Sequence, residues 1–151
     1  MKQFSLMVLC ALLVCTAGCK NDNNPPDPAT LYGDMDRPSW CPPEGHDMTS
    51  SMTALVLPNL RRSYPSLAAD HKIDSEDMFG AFAGDQCLGV ATLVDNLFFL
   101  YIDKTEGAVT LRYWSKQYRN LFELKDAFVF VNDGHIGTAK EPYLPALILA
   151  Q

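Results

Sequence analysis

From Trp40 to the carboxyl end, short apolar runs recur about every ten residues, each halted by turn chemistry, and that rhythm confines the chain to sheet architecture. Residues 52–57 read as a first strand, stopped by Pro58-Asn59, and residues 78–83 and 87–93 as a second and third. Gly84-Asp85-Gln86 between the latter two has the Gly and Asp of a tight hairpin turn. Residues 97–102 follow Asp95-Asn96 and end near Asp103-Lys104, and residues 109–115 follow a Glu106-Gly107 turn. In that fifth strand Val109, Leu111 and Tyr113 point one way, and Thr110 and Arg112 the other. Residues 121–124, 127–131 and 147–150 complete the set. No segment sustains a 3.6-residue apolar period over three turns. Seven or eight short strands of this kind make an antiparallel sandwich or barrel.

The exception to the rhythm is residues 63–77, where Pro65 and the acids Asp70, Asp74, Glu76 and Asp77 predict a long polar connection, with one helical turn at Leu67-Ala68-Ala69-Asp70. A hydrophobic content of 48%, with eight Phe and six Tyr, is ample for one packed core in a chain of 151 residues. The net charge of -6 argues against nucleic acid, whose binding needs a basic face to displace counterions.

The amino terminus has a different texture. Lys2 precedes an apolar run over residues 4–14, too short for a bilayer, which takes about 20 residues. The small residues Thr16-Ala17-Gly18 follow, then Cys19; a short apolar core ending in small residues is a secretory signal peptide. A cysteine placed directly after it resembles the bacterial lipobox, whose cysteine is acylated and becomes the new amino terminus. Thr16 departs from the Leu that this motif prefers three residues before the cysteine. Removing residues 1–18 leaves 11 Lys and Arg against 18 Asp and Glu, a charge of -7. The resemblance implies residues 1–18 as signal peptide, a lipidated Cys19 with a flexible Asn-, Asp- and Pro-rich tether to residue 37, and a domain over residues 38–151. It implies an outer-membrane lipoprotein, attached to the membrane through its acyl chains, on the periplasmic or the surface face.

The run Ala81-Phe82-Ala83-Gly84-Asp85-Gln86-Cys87-Leu88-Gly89-Val90-Ala91 resembles a motif of exported and surface proteins of gut-type anaerobic Gram-negatives, roughly Ala-Phe-x-Gly-Asp-x-Cys-x-Gly-Val-Ala. Around it stand Ser51-Met52-Thr53, Phe98-Phe99-Leu100, the strand from Val109 to Tyr113, Phe128 to Phe130, and Asp133 to Thr138 followed by Pro142. The similarity covers about residues 51–149. It implies an immunoglobulin-like β-sandwich without an assigned activity. Leu88 stands where the motif commonly has Arg. Read physically, Gly84 supplies the positive φ of a tight turn, and Gly80 and Gly89 mark bulges or close packing beside a bulky neighbour.

Cys41 and Cys87 remain in the exported part, and an even pair in an oxidising compartment invites a disulfide. Such a bond closes a 46-residue loop, worth roughly 4 kcal/mol in the chain-entropy picture. The alternative is a Cys87 packed as a small apolar residue beside a free Cys41. His46, His71 and His135 are scattered without metal-ligand spacing, and neither Asp34-x-Asp36 nor the acids from Asp70 to Asp77 form an EF-hand loop, so no metal or other cofactor is expected. There is no Gly-x-Ser-x-Gly elbow, and no catalytic residue is assigned. Aromatic side chains are the better lead: Trp114, Tyr118 and Tyr101 are candidates for a ligand platform, since exposed rings on a sheet stack on sugars and anchor protein partners. Ordinary core and cross-strand packing is the commoner use of such rings. The expectation is therefore a non-catalytic envelope module that binds glycan or protein. Its alternatives are a structural spacer or assembly component and, behind both, a small hydrolase.

Overall fold

The computed structural model describes residues 27–42, 44–45, 49–67 and 71–151. The leader, Cys19, His46 and residues 68–70, on which the helical turn was expected, lie outside the described residues. The described part is an all-β body with two sheets. The strands are β1 (Ser51–Val56), β2 (Met78–Ala83), β3 (Gln86–Val90), β4 (Thr92–Val94), β5 (Leu97–Asp103), β6 (Ala108–Ser115), β7 (Asn120–Leu124), β8 (Phe128–Val129), β9 (His135–Ile136) and β10 (Leu147–Leu149). One sheet runs β4-β5-β1-β9; the other runs β10-β7-β6-β2-β3, with β8 added beside the start of β6. All strand pairs are antiparallel except β1 with β9.

Alternation explains which side chains meet. Met52, Ala54 and Val56 of β1 and Phe98, Leu100 and Ile102 of β5 turn inward and are buried. From the facing sheet come Phe79 and Ala81 of β2, Leu88 of β3, and Val109, Leu111 and Tyr113 of β6. The two periodicities interlock between the sheets as one core. Stacked rings concentrate there: Phe79 lies 5.4 Å from Phe98, and Tyr113 lies 6.3 Å from Phe122.

Turn chemistry sets the hairpin registers. Gly84 adopts φ +58° in the two-residue loop between Ala83 and Gln86, the pattern of a II′ turn. Asp95 and Asn96, at φ +49° and +63°, join β4 to β5 as a I′ turn. Leu88 is the extra residue of a bulge in β3, between the pairs Ala81–Gly89 and Phe82–Cys87. At Gly89 the backbones of β3 and β5 approach so closely that an added Cβ would overlap the Tyr101 carbonyl oxygen.

Four details depart from the sequence reading. The expected strand over residues 87–93 breaks at Ala91, where the chain leaves the second sheet for the first; the Ala91 amide donates to the Phe79 carbonyl at 2.8 Å. The expected strand at residues 127–131 contracts to Phe128–Val129. The two residues of β9, too few for an alternation signal, form a strand because β1 supplies partners: the Asp133 amide donates to Ser51 and the Thr53 amide to Gly134, both at 2.9 Å. The connection between β1 and β2 is only partly polar, since Tyr64 and Leu67 enter the core and Ile73 packs against it.

The largest correction concerns the tether. Residues 27–37 were expected to be a solvated spacer, yet a 3₁₀ turn at Pro28–Leu31 buries Leu31 in the core. The chain then crosses the body as a strap over residues 32–41. Amides of Gly33 and Met35 donate to the carbonyls of Tyr118 and Arg119, each at 2.9 Å, and Arg37 Nε donates to the Glu76 carbonyl at 2.9 Å. Trp40 meets Phe82 edge-on at 5.2 Å. The folded body thus begins no later than Asp27.

Candidate binding surface

The strap makes the two outer sheet faces unequal. On the second sheet, Met78, Gly80 and Phe82 of β2 and Arg112 and Trp114 of β6 point away from the core. The strap passes over this surface. Trp114 is only 4% exposed, and its indole Nε1–H donates to the Met35 carbonyl at 3.2 Å. Trp40 packs on Phe82 and Gly80, and the Arg112 guanidinium stacks 4.5 Å from the centre of the Phe82 ring.

This geometry corrects the proposed platform. Trp114 and Tyr118 do not present their rings to solvent: Tyr118, 3% exposed, sits in the core between Tyr32, His71 and Phe122. Strand alternation places Trp114 outward correctly, but alternation says nothing of a segment some eighty residues earlier that covers it. Tyr101 lies on the other sheet and is 41% exposed. The three rings therefore share no face.

The outer face of the first sheet retains a different set. Leu97, Phe99 and Tyr101 of β5, Thr53 and Leu55 of β1, Thr92 and Val94 of β4, and His135 of β9 are all at least partly exposed. Phe99 props the Tyr101 ring edge-on at 4.9 Å and 87°. In register across β5, β1 and β9 stand Tyr101, Thr53 and His135. Thr53 Oγ1 and His135 Nδ1 are 2.6 Å apart. A half-exposed phenol ring, a hydroxyl and an imidazole thus form one row across three strands, flanked by apolar Leu55, Phe99 and Val94. The signal for it was present in the sequence as the period-two run Leu97-Phe99-Tyr101, although His135 had no pattern to mark it.

A second constellation was not anticipated. The Tyr113 hydroxyl, buried between the sheets, donates to Asp77 Oδ2 at 2.5 Å, and its oxygen accepts from His71 Nε2. Asp77 also accepts from the Asp74 amide at 3.0 Å and, through Oδ1, from the Lys116 amide at 2.8 Å. The His71 side chain is 2% exposed and stacks against Tyr118. Burial lowers its pKa, against the opposing pull of the Asp77 charge, so the ring is held neutral. Burial, reinforced by Asp77, raises the Tyr113 pKa far beyond the usual phenol range. The cluster staples the β1–β2 connection to β6. Its depression beside Leu57, Pro58, Asn59 and Ile73 measures about 150 Å³.

Of the acids named in the sequence, Asp36, Asp74 and Glu76 are held in ion pairs. Asp36 pairs with Arg119 at 3.4 Å, and Lys116 bridges Glu76 at 2.6 Å and Asp74 at 3.6 Å. Among the described residues no group of three His, Cys, Asp or Glu side chains is placed to hold a metal ion. Cys41 is an exposed free thiol and Cys87 a half-buried one.

These features define an all-β, two-sheet protein with one strapped face and one open aromatic face. Comparison of the chain with protein-family models, with curated proteins and with solved structures yields no match.

Proposed function

We propose that the chain is a non-catalytic recognition module, displayed at the cell envelope on a lipidated Cys19, which binds carbohydrate on the open face of the first sheet. The observation that carries this reading is the row Tyr101–Thr53–His135. A propped aromatic ring offers its face to the apolar side of a sugar, and the adjacent hydroxyl and imidazole offer hydrogen bonds to its hydroxyls. The buried titratable cluster His71–Tyr113–Asp77 is engaged in structural hydrogen bonds, with the Tyr113 hydroxyl and both Asp77 carboxylate oxygens already partnered, which supports a binding role over a hydrolytic one. The leader and lipobox resemblance support the envelope location.

The finer fold proposed is immunoglobulin-like. Its support is strand order: β4-β5-β1 in one sheet and β7-β6-β2-β3 in the other follow the D-E-B and G-F-C-C′ pairings of a variable-type sandwich. The first strand of that pattern has a substitute here, β9, which arrives from late in the chain and runs parallel to β1.

The test is a glycan array with the full chain beside Tyr101→Ala. Binding that falls at least tenfold in the variant, with unchanged thermal stability, supports the reading. Silence across the array, or binding indifferent to Tyr101, rejects the sugar platform and leaves protein docking or scaffolding as the role of this face.

A further inference from the structure

Three features bring the two free thiols onto one surface. Cys87 pairs with Phe82 across the β2–β3 hairpin, so their side chains share a face. Phe82 belongs to the outer face of the second sheet, because the Arg112 guanidinium and the Trp40 ring both lie on it. Trp40 also rests on Gly80, whose missing side chain leaves space for it: an added Cβ would come within 3.3 Å of the indole. Cys41 is the next residue after Trp40, at the end of the strap, and it is exposed.

We infer that Cys41 and Cys87 form a disulfide that latches the strap over the outer face of the second sheet. The charge of Cys41 is felt at Cys87, whose thiol pKa is raised first by burial, is lowered by the Gly89 carbonyl contact and is raised again by Cys41. That influence accords with the ring contacts that bring Cys41 to the face of Cys87. It also orders the chemistry, because the half-buried Cys87 thiol is the poorer initial nucleophile. The Cys41 thiolate attacks one sulfur of a disulfide oxidant, such as oxidised glutathione, and expels one thiolate. Cys87, losing its proton, then attacks the Cys41 sulfur of the mixed disulfide and expels the second thiolate. Two protons leave the chain and two electrons reduce the oxidant to two thiols.

The bond adds a covalent hold to a strap already bound by backbone hydrogen bonds, by the Arg37, Asp36 and Tyr32 side-chain contacts and by two indole contacts. It does not depend on what the open face binds. The test uses the full chain, equilibrated with oxidised glutathione while folded, digested without reduction and analysed by mass spectrometry. A peptide containing Cys41 covalently joined to one containing Cys87 is expected, and it disappears in Cys41→Ser, an exposed substitution that leaves the fold intact. Hydrogen exchange at the Gly33 and Met35 amides should slow in the oxidised form relative to the reduced form. Iodoacetamide labelling of both thiols after oxidation overturns the inference, as does Cys41 joined to another cysteine or another molecule. Equal exchange of those amides in both redox forms overturns the latch.

Discussion

Replacing Tyr113 by Phe isolates the buried polar cluster from the packing around it. The ring is fully buried and retains its contacts with Phe79, Phe98 and Phe122, so no cavity is made and the change removes one oxygen. That oxygen donates to a buried carboxylate at 2.5 Å and accepts from the His71 Nε2. A hydrogen bond to a charged acceptor contributes about 1.5–3 kcal/mol, and leaving a buried N–H without an acceptor costs a further 1 kcal/mol or so. Asp77 keeps its two backbone donors, which limits the damage. The expected loss is therefore about 3 kcal/mol, or a fall in Tm on the order of 10 °C for a body of this size. Urea denaturation at pH 7 followed by tryptophan fluorescence measures it. Tyr118→Phe is the control, because that ring is also buried but its hydroxyl makes no hydrogen bond to the described residues. If Tyr113→Phe stays within about 0.5 kcal/mol of the parent, or matches Tyr118→Phe, the cluster is not a structural staple and the reasoning fails.

The same cluster makes stability fall in acid. The folded-state pKa of His71 lies below its unfolded value, so below about pH 6.5 the unfolded chain takes up a proton that the folded chain refuses. Its contribution is complete above that pH and declines as pH drops towards the folded value, so His71→Gln should flatten the fall of the denaturation midpoint below about pH 6.5 relative to the parent. Gly89→Ala should destabilise by about 1–3 kcal/mol or more, because the new methyl meets the Tyr101 carbonyl oxygen and two backbones must part; in Gly84→Ala, where no atom lies near, only the strain of the positive φ is expected, about 1 kcal/mol. Thermal melts of the two variants separate these cases. Trp114→Ala should cost about 3–5 kcal/mol in stability, since the ring is buried beneath the strap and its N–H is bonded there; a stable variant with altered ligand binding would restore Trp114 as a surface residue.

What the sequence displayed and what it hid follow one physical division. Strand existence was legible because it rests on local alternation and turn residues: residues 78–83 coincide with β2, and the Gly84-Asp85 and Asp95-Asn96 turns fall where their φ angles require. β9 and the break at Ala91 were not, because each exists through a partner elsewhere in the chain. The candidate site divides in the same way. Tyr101 could be placed on an outer face from its own strand, whereas the burial of Trp114 depends on residues 32–41, whose Asn, Asp and Pro neighbours resemble spacer composition. Leu31, Tyr32 and Met35 were the overlooked signal: three large apolar side chains within five residues of a segment that read as linker. The His71–Tyr113–Asp77 cluster joins positions 36 and 42 residues apart and left no motif behind.

The strap changes how such a body can present itself. A two-sheet sandwich has two outer faces, and an outer face rich in apolar side chains must be covered or used. Here the second sheet carries Trp114, Phe82 and Met78 outward, and the chain covers them with its own amino-terminal segment. The first sheet carries Leu55, Phe99 and Tyr101 outward, and among the described residues no strap is hydrogen-bonded across them. If the proposed lipid anchor precedes Asp27, a pull on the strap would be borne first by Leu31 and the Gly33 and Met35 hydrogen bonds, and not by the open face. On the proposed function, anchoring and recognition would then fall to opposite sheets, and a disulfide at Cys41 would hold the two duties apart.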